Sequence, residues 1–176
     1  NGDPRKEAIA LAQNYFAVKT RQQELAENFN ELSENQKRLA IRNELKSHNS
    51  SLAEAAQNAG VSDYAKFQNS GYKGLYGGMT AADIHRKKGL KKSQKILDHM
   101  GSTELAANLF RATQTDEKLR RENIKGEDKA NRTHYDVGRK VRETIKELGG
   151  TMPEDLPTPD KSIQQIQRAD SKKRLE

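Results

Sequence analysis

Cysteine is absent from this chain, which excludes disulfides, thiol catalysis and the usual structural zinc sites. The absence fits a reducing cytoplasm. Tryptophan is missing too, and aromatic residues make up only 5% of the sequence. Hydrophobic residues reach 32% and the mean hydropathy is −1.06, so any core is thin. Such a composition suits helices with one apolar stripe each better than a compact globule. No apolar run approaches the roughly 20 residues of a membrane span, and no signal peptide is visible. The sequence opens "NGDPRKEAIA" without Met. Asp3 before Pro4 makes a helix start, a cap followed by proline at the first helical position. A chain that begins at a helix cap reads as the later part of something longer.

What is present is charge and helical periodicity. Thirty-two basic residues stand against 25 acids, for a net charge of +7 and a pI near 9.5. The excess favours an acidic partner such as nucleic acid or an anionic surface, although many charges are expected to form pairs on helix surfaces. Leu11, Tyr15, Val18, Gln22, Leu25, Phe29 and Leu32 repeat at heptad-like spacing. They predict a long helix over residues 4–32, packed on a neighbour or forming a dimer seam. Ser33 with Gln36 has the capping-box pattern. Ile41, Leu45, His48, Leu52, Ala55 and Ala59 then continue on one face, with Gly60 as the stop. Two long helices joined by a short break suggest an antiparallel pair, the second interrupted at "SHNSS". Ser62 is expected to cap a short helix over 63–69, and Gly71, Gly74, Gly77 and Gly78 to mark irregular backbone. Thr80 caps "AADIHRKK", which Gly89 stops.

Further helices are expected over 91–99, after a cap at Ser102 or Thr103 with a restart at Thr115, and over 127–148 up to Gly149. "TMPEDLPTP" should be extended, as a linker or a strap, and the tail can form a last polar helix. Nothing alternates with period two. The expected fold is all-α: a long antiparallel helix pair over residues 1–60, a cluster of shorter helices over 61–150, and a proline-rich segment with a terminal helix over 151–176.

Catalytic signatures are few. His48, His85, His99 and His134 show no metal spacing such as HExxH. His134 shares a face with Val137, Val141 and Ile145, which reads as a core position. "GYKGLYGG" lacks the Lys-Ser/Thr end of a phosphate-binding loop. Asp116, Glu117, Glu127 and Asp128 are available for a metal-dependent nuclease, but no spacing singles them out. The expectation is a non-enzyme without cofactor or metal.

Binding has the stronger case. Arg86, Lys87, Lys88, Lys91, Lys92 and Lys95 form a cluster with no acid between Ile84 and Leu97. A continuous helix would put Lys88, Lys91, Lys92 and Lys95 on one face. Such residues neutralise phosphates, the sequence-independent part of nucleic-acid affinity, although charge runs are more often solvated faces. Arg132, Arg139, Arg142 and Lys146 make a second stripe, against which Glu143 and Glu147 can pair. Tyr72 and Tyr76 flank Lys73 in the glycine-rich stretch. They either stack exposed bases of a single strand or anchor a loop.

At this point a resemblance appears. "NGDPRKEAIALAQNYFAVKTRQQEL", "FQNSGYKGLYGG", "KGLKKSQKILDHMGSTELAANLFRATQT" and "THYDVGRKVRETIKELGGTMPEDLPTP" resemble the DNA damage-inducible protein D family of bacteria over essentially the whole chain. The resemblance implies a cytoplasmic protein of the SOS response, with no established enzymatic activity and no catalytic residue to carry over. Family members have an upstream region related to the Bro-N domain of phage antirepressors, which is missing here. The resemblance also suggests restraint of the recombinase on single-stranded DNA.

Two functions are therefore expected to compete. One is a helical module that modulates repair or recombination by binding single-stranded DNA, the recombinase filament or both. Its phosphate contacts would be Lys87, Lys88, Lys91, Lys92 and Lys95, with Arg139, Arg142 and Lys146 second. The other is an oligomerisation platform, possible as a homodimer, for the Bro-N-like region.

Overall fold

The computed structural model describes residues 32–176. The helix expected over 4–32, its heptad-like seam and the dimer reading built on that seam lie outside the described residues, apart from Leu32. Among the described residues the protein is all-helical: α1 (Glu34–Asn58), α2 (Tyr64–Leu75), α3 (Ala81–Lys87), α4 (Ser102–Arg121), α5 (Glu127–Glu147) and α6 (Ile163–Leu175). Short 3₁₀ turns cover Ile96–His99 and Pro153–Asp155.

α1 starts as its capping box dictates. Gln36 N–H donates to Ser33 Oγ at 3.2 Å, and Ser33 N–H donates back to Gln36 Oε1 at 2.9 Å. The polar run "SHNSS" does not interrupt α1, because Ile41, Leu45, Leu52 and Ala55 keep one apolar face buried across it. Tertiary burial outweighs the local preference of Ser and Asn for turns. Gly60, at φ +97°, ends the helix, a backbone region that suits glycine.

α1 packs on α4 and α2 on α5, each pair running parallel, start bonded to start and end to end. Glu34 in the first turn of α1 accepts from Ser102 N–H (2.8 Å) and Ser102 Oγ–H (2.7 Å) at the start of α4. Ser51 reaches Asp116 further along, and at the far end Gly126 N–H donates to Ala59 O at 2.7 Å. The cap expected from Ser102 or Thr103 is thus supplied by Glu34, with Gly101 in the cap position. No restart occurs at Thr115, whose hydroxyl donates to Arg111 O at 2.7 Å and leaves α4 continuous.

The α2–α5 crossing corrects a second expectation. Gly71 and Gly74 lie inside α2, which runs well beyond the short helix expected over 63–69. They face Gly138 of α5. A Cβ on Gly138 would stand 2.5 Å from the carbonyl oxygen of Gly71, and one on Gly74 would meet the α5 backbone at Tyr135 and Arg139. These glycines let two backbones touch, while Gly77 (φ +64°) and Gly78 (φ +101°) do form the turn expected of them.

The segment after α5 is a strap. Pro153 is buried, and Glu154 receives both Nη groups of Arg142 at 2.8 and 2.7 Å. α6 follows, held by Ile163 and Ile166 against α1 and the Ile96–His99 turn. Beneath it the buried Arg38 guanidinium donates to the carbonyls of Met100 (2.8 Å), Lys161 (2.7 Å) and Asp98 (3.2 Å). One side chain therefore ties α1, the connection into α4 and the entry to α6.

Candidate nucleic-acid interface

The basic segment is built outward from α3. Thr80 and Asp83 cap that helix reciprocally, and Gly89 at φ +64° ends it. Residues 91–95 then form a turn rather than the expected helix over 91–99, and only Ile96–His99 is helical, as a 3₁₀ turn. Gln94 closes the turn twice. Its N–H donates to Lys91 O at 2.9 Å, and its Oε1 accepts from Lys91 N–H at 2.7 Å. His85 Nε2 lies 3.0 Å from the carbonyls of both Lys91 and Gln94. Both are acceptors, so Nε2 carries the hydrogen and pins the turn to α3.

This geometry sorts the cations that the sequence groups together. Lys91, Lys92 and Lys95 are exposed and take part in no ion pair among the described residues. Lys87 is about half exposed and lies 3.4 Å from Asp155 on the strap. Arg86 extends into solvent, 3.2 Å from Asp83. Lys88 leaves the cluster altogether. Its ammonium is buried 2.9 Å from Glu104 Oε2, with side-chain exposures of 7% and 0%. The single lysine face that a continuous helix would give over 88–95 does not form, because Gly89 turns the chain after α3, while Lys88, ahead of that turn, pairs with Glu104.

Glu104 continues into a buried polar chain. Tyr76 O–H donates to Glu104 Oε1 at 2.7 Å, and Asn108 Nδ2–H donates to the Tyr76 oxygen at 3.0 Å. Asn108 Oδ1 accepts from Arg111 at 3.1 Å. Arg111 donates to His134 Nε2 at 2.6 Å, while His134 Nδ1–H donates to Phe67 O at 2.8 Å. Burial raises the Glu104 carboxyl above its ordinary range. Burial, reinforced by the Arg111 charge, holds the His134 imidazolium well below its own. The core reading of His134 is correct. Tyr72 and Tyr76 are buried as well, and the Arg111 guanidinium lies 4.8 Å from the Tyr72 ring centroid. Neither tyrosine is a platform for bases.

The second stripe, on α5, is largely neutralised. Arg132 pairs with Asp136 at 3.3 Å and Arg139 with Glu143 at 3.7 Å. Arg142 is held by Glu154 and also donates to Leu75 O at 3.1 Å. Of the three α5 residues expected to touch phosphate, only Lys146 is exposed without an ion pair among the described residues.

Beside the basic turn lies an open groove of about 920 Å³. Leu90, Ile96 and Leu97 form its apolar part, and Arg86, Lys95 and Arg42 stand on its walls. Arg42, from α1, is bonded to Asp98 at 3.0 Å. Sequence reasoning missed both Arg42 and the groove, since only folding brings α1 against the Ile96–His99 turn. Among the described residues there is no cluster of three His, Asp or Glu side chains fit for a metal ion. None of their helices is long and apolar enough to cross a membrane.

The family model described as the DinD C-terminal domain matches residues 32–166. The chain is 64% identical over 174 residues to DNA damage-inducible protein D of Escherichia coli (strain K12), covering 96% of this chain. The chain spans 64% of that relative's length. No solved structure matches.

Proposed function

The chain belongs to the DinD C-terminal domain family, and from that premise we propose that it is a binding module of the bacterial DNA-damage response, without chemistry of its own. It engages single-stranded DNA through the turn after α3. The observation that carries this reading is the set of exposed lysines Lys91, Lys92 and Lys95, which meet no carboxylate among the described residues. Lys87 and Lys146 are secondary contacts. Duplex readout calls for a helix or strand fitted to a groove. Here α3 has seven residues and the cations sit on a turn, which suits the flexible backbone of a single strand better. The setting is repair or recombination, where the strand is met on a recombinase filament.

Fluorescence anisotropy of labelled single-stranded and duplex DNA, titrated with this chain at several salt concentrations, tests the proposal. The expected result is preference for the single strand and a steep loss of affinity with salt. Absence of binding at low salt would remove the turn as a DNA site.

A further inference from the structure

The groove next to the basic turn has a chemistry that phosphate contacts leave unused. Leu90 is partly exposed in it and lies outside the buried core and the side chains packed against that core. Ile96 and Leu97 continue the apolar surface from Leu90 toward α1. Exposed basic groups stand beside this surface: Arg86 on α3 and Lys95 at the entry to the 3₁₀ turn, with Lys91 and Lys92 on the adjoining turn. His85 holds that turn in place through the carbonyls of Lys91 and Gln94, so the apolar surface and its cationic border keep a fixed relation. Among the described residues no exposed aromatic ring lines the groove, since Tyr72 is 7% exposed and lies under Arg111. Stacked bases therefore find no partner there, whereas aliphatic side chains flanked by carboxylates match both the surface and its border.

We propose that this groove is a docking site for an extended, acidic segment of a partner protein, its aliphatic side chains on Leu90, Ile96 and Leu97 and its carboxylates on Arg86 and Lys95. The site is independent of the DNA reading, but the two share Lys95, so peptide and single strand compete for this face.

The probe is a labelled peptide of alternating aspartate and leucine, compared with its aspartate–serine counterpart and with labelled single-stranded DNA. The expected result is saturable binding of the aspartate–leucine peptide and about tenfold weaker binding of the aspartate–serine one. Leu90→Gln should weaken the aspartate–leucine peptide about tenfold and leave DNA affinity unchanged, while Lys95→Glu should weaken both ligands. Circular dichroism of each variant confirms the fold. Equal binding of the two peptides would overturn the proposal, as would peptide affinity unchanged in folded Leu90→Gln. Peptide binding with these dependences but no DNA binding would retain the groove and sink only the DNA reading.

Discussion

Two stretches of this protein look alike as strings of cations and differ in what the fold makes of them. On α5, Arg132 and Arg139 each have a carboxylate one helical turn further on, and Arg142 has Glu154 from the strap. The 86–95 segment has no acid of its own, and beyond α3 it is not helical. Beyond Lys87, which has Asp83 four residues before it in α3, its lysines cannot be matched at i+4, and tertiary contacts decide their fate. One is taken into the interior by Glu104, one lies beside Asp155 and three remain in solvent. A count of basic residues therefore overstates the positive field of α5 and describes the turn better.

The comparison is broken most severely at Lys88. Lys88→Met leaves Glu104 buried without its cation and should cost about 3–5 kcal/mol, read from urea unfolding. Lys91→Met, three residues on and exposed, should stay within about 0.5 kcal/mol. Equal effects would mean that Lys88 is not the buried member. The converse holds for binding. Charge reversal at both Lys91 and Lys92 should reduce single-strand affinity at least about tenfold and flatten its salt slope by roughly two, with stability unchanged. An unaltered slope would take this turn out of the interface. Arg142→Met should cost about 1–2 kcal/mol, since it removes a bidentate pair and a bond to Leu75 O. It should also raise hydrogen exchange in the strap while leaving DNA affinity alone. Arg139→Glu should do least, within about 0.5 kcal/mol, and a large loss of DNA binding there would restore α5 to the interface.

Acid sharpens the same contrast between buried and exposed groups. His134 has a depressed pKa, so its neutral form belongs to the fold. Its contribution is complete above the ordinary histidine value of 6.5. Stability falls as the pH drops below that value, where the unfolded chain takes up a proton that folded His134 refuses. Glu104 has the opposite sign. Its raised pKa favours the fold on acidification through the carboxylate range. Urea midpoints across pH 7 to 5 should decline in wild type and less so in a folded His134→Gln variant. Matching slopes would assign the decline to another group.

Much of the fold was legible because local signals agree with it. The capping box at Ser33, the cap at Thr80, and the stops at Gly60, Gly89 and Gly149 are where their residues place them. The strap and the last helix also follow from the prolines and from the polar tail. The errors fall where a residue type has two uses. Glycine serves turns and close helix crossings alike, so Gly71 and Gly74 read as loop until Gly138 is seen beside them. Threonine and serine are only weakly unfavourable inside helices, and Thr115 and Ser51 find a carbonyl and a carboxylate there.

By itself, the sequence determined the helical class, most of the helix ends, the burial of His134 and the concentration of unbalanced lysine between Ile84 and Leu97. Those are properties of neighbours along the chain: periodicity, caps and local charge. Which lysines are free, where Arg42 stands and whether a groove exists were decided by the tertiary structure. Each depends on groups far apart in sequence, Lys88 with Glu104, Arg142 with Glu154, and α1 with the Ile96–His99 turn. No local spacing encodes those pairings, because the energy that fixes them arises only when the helices pack.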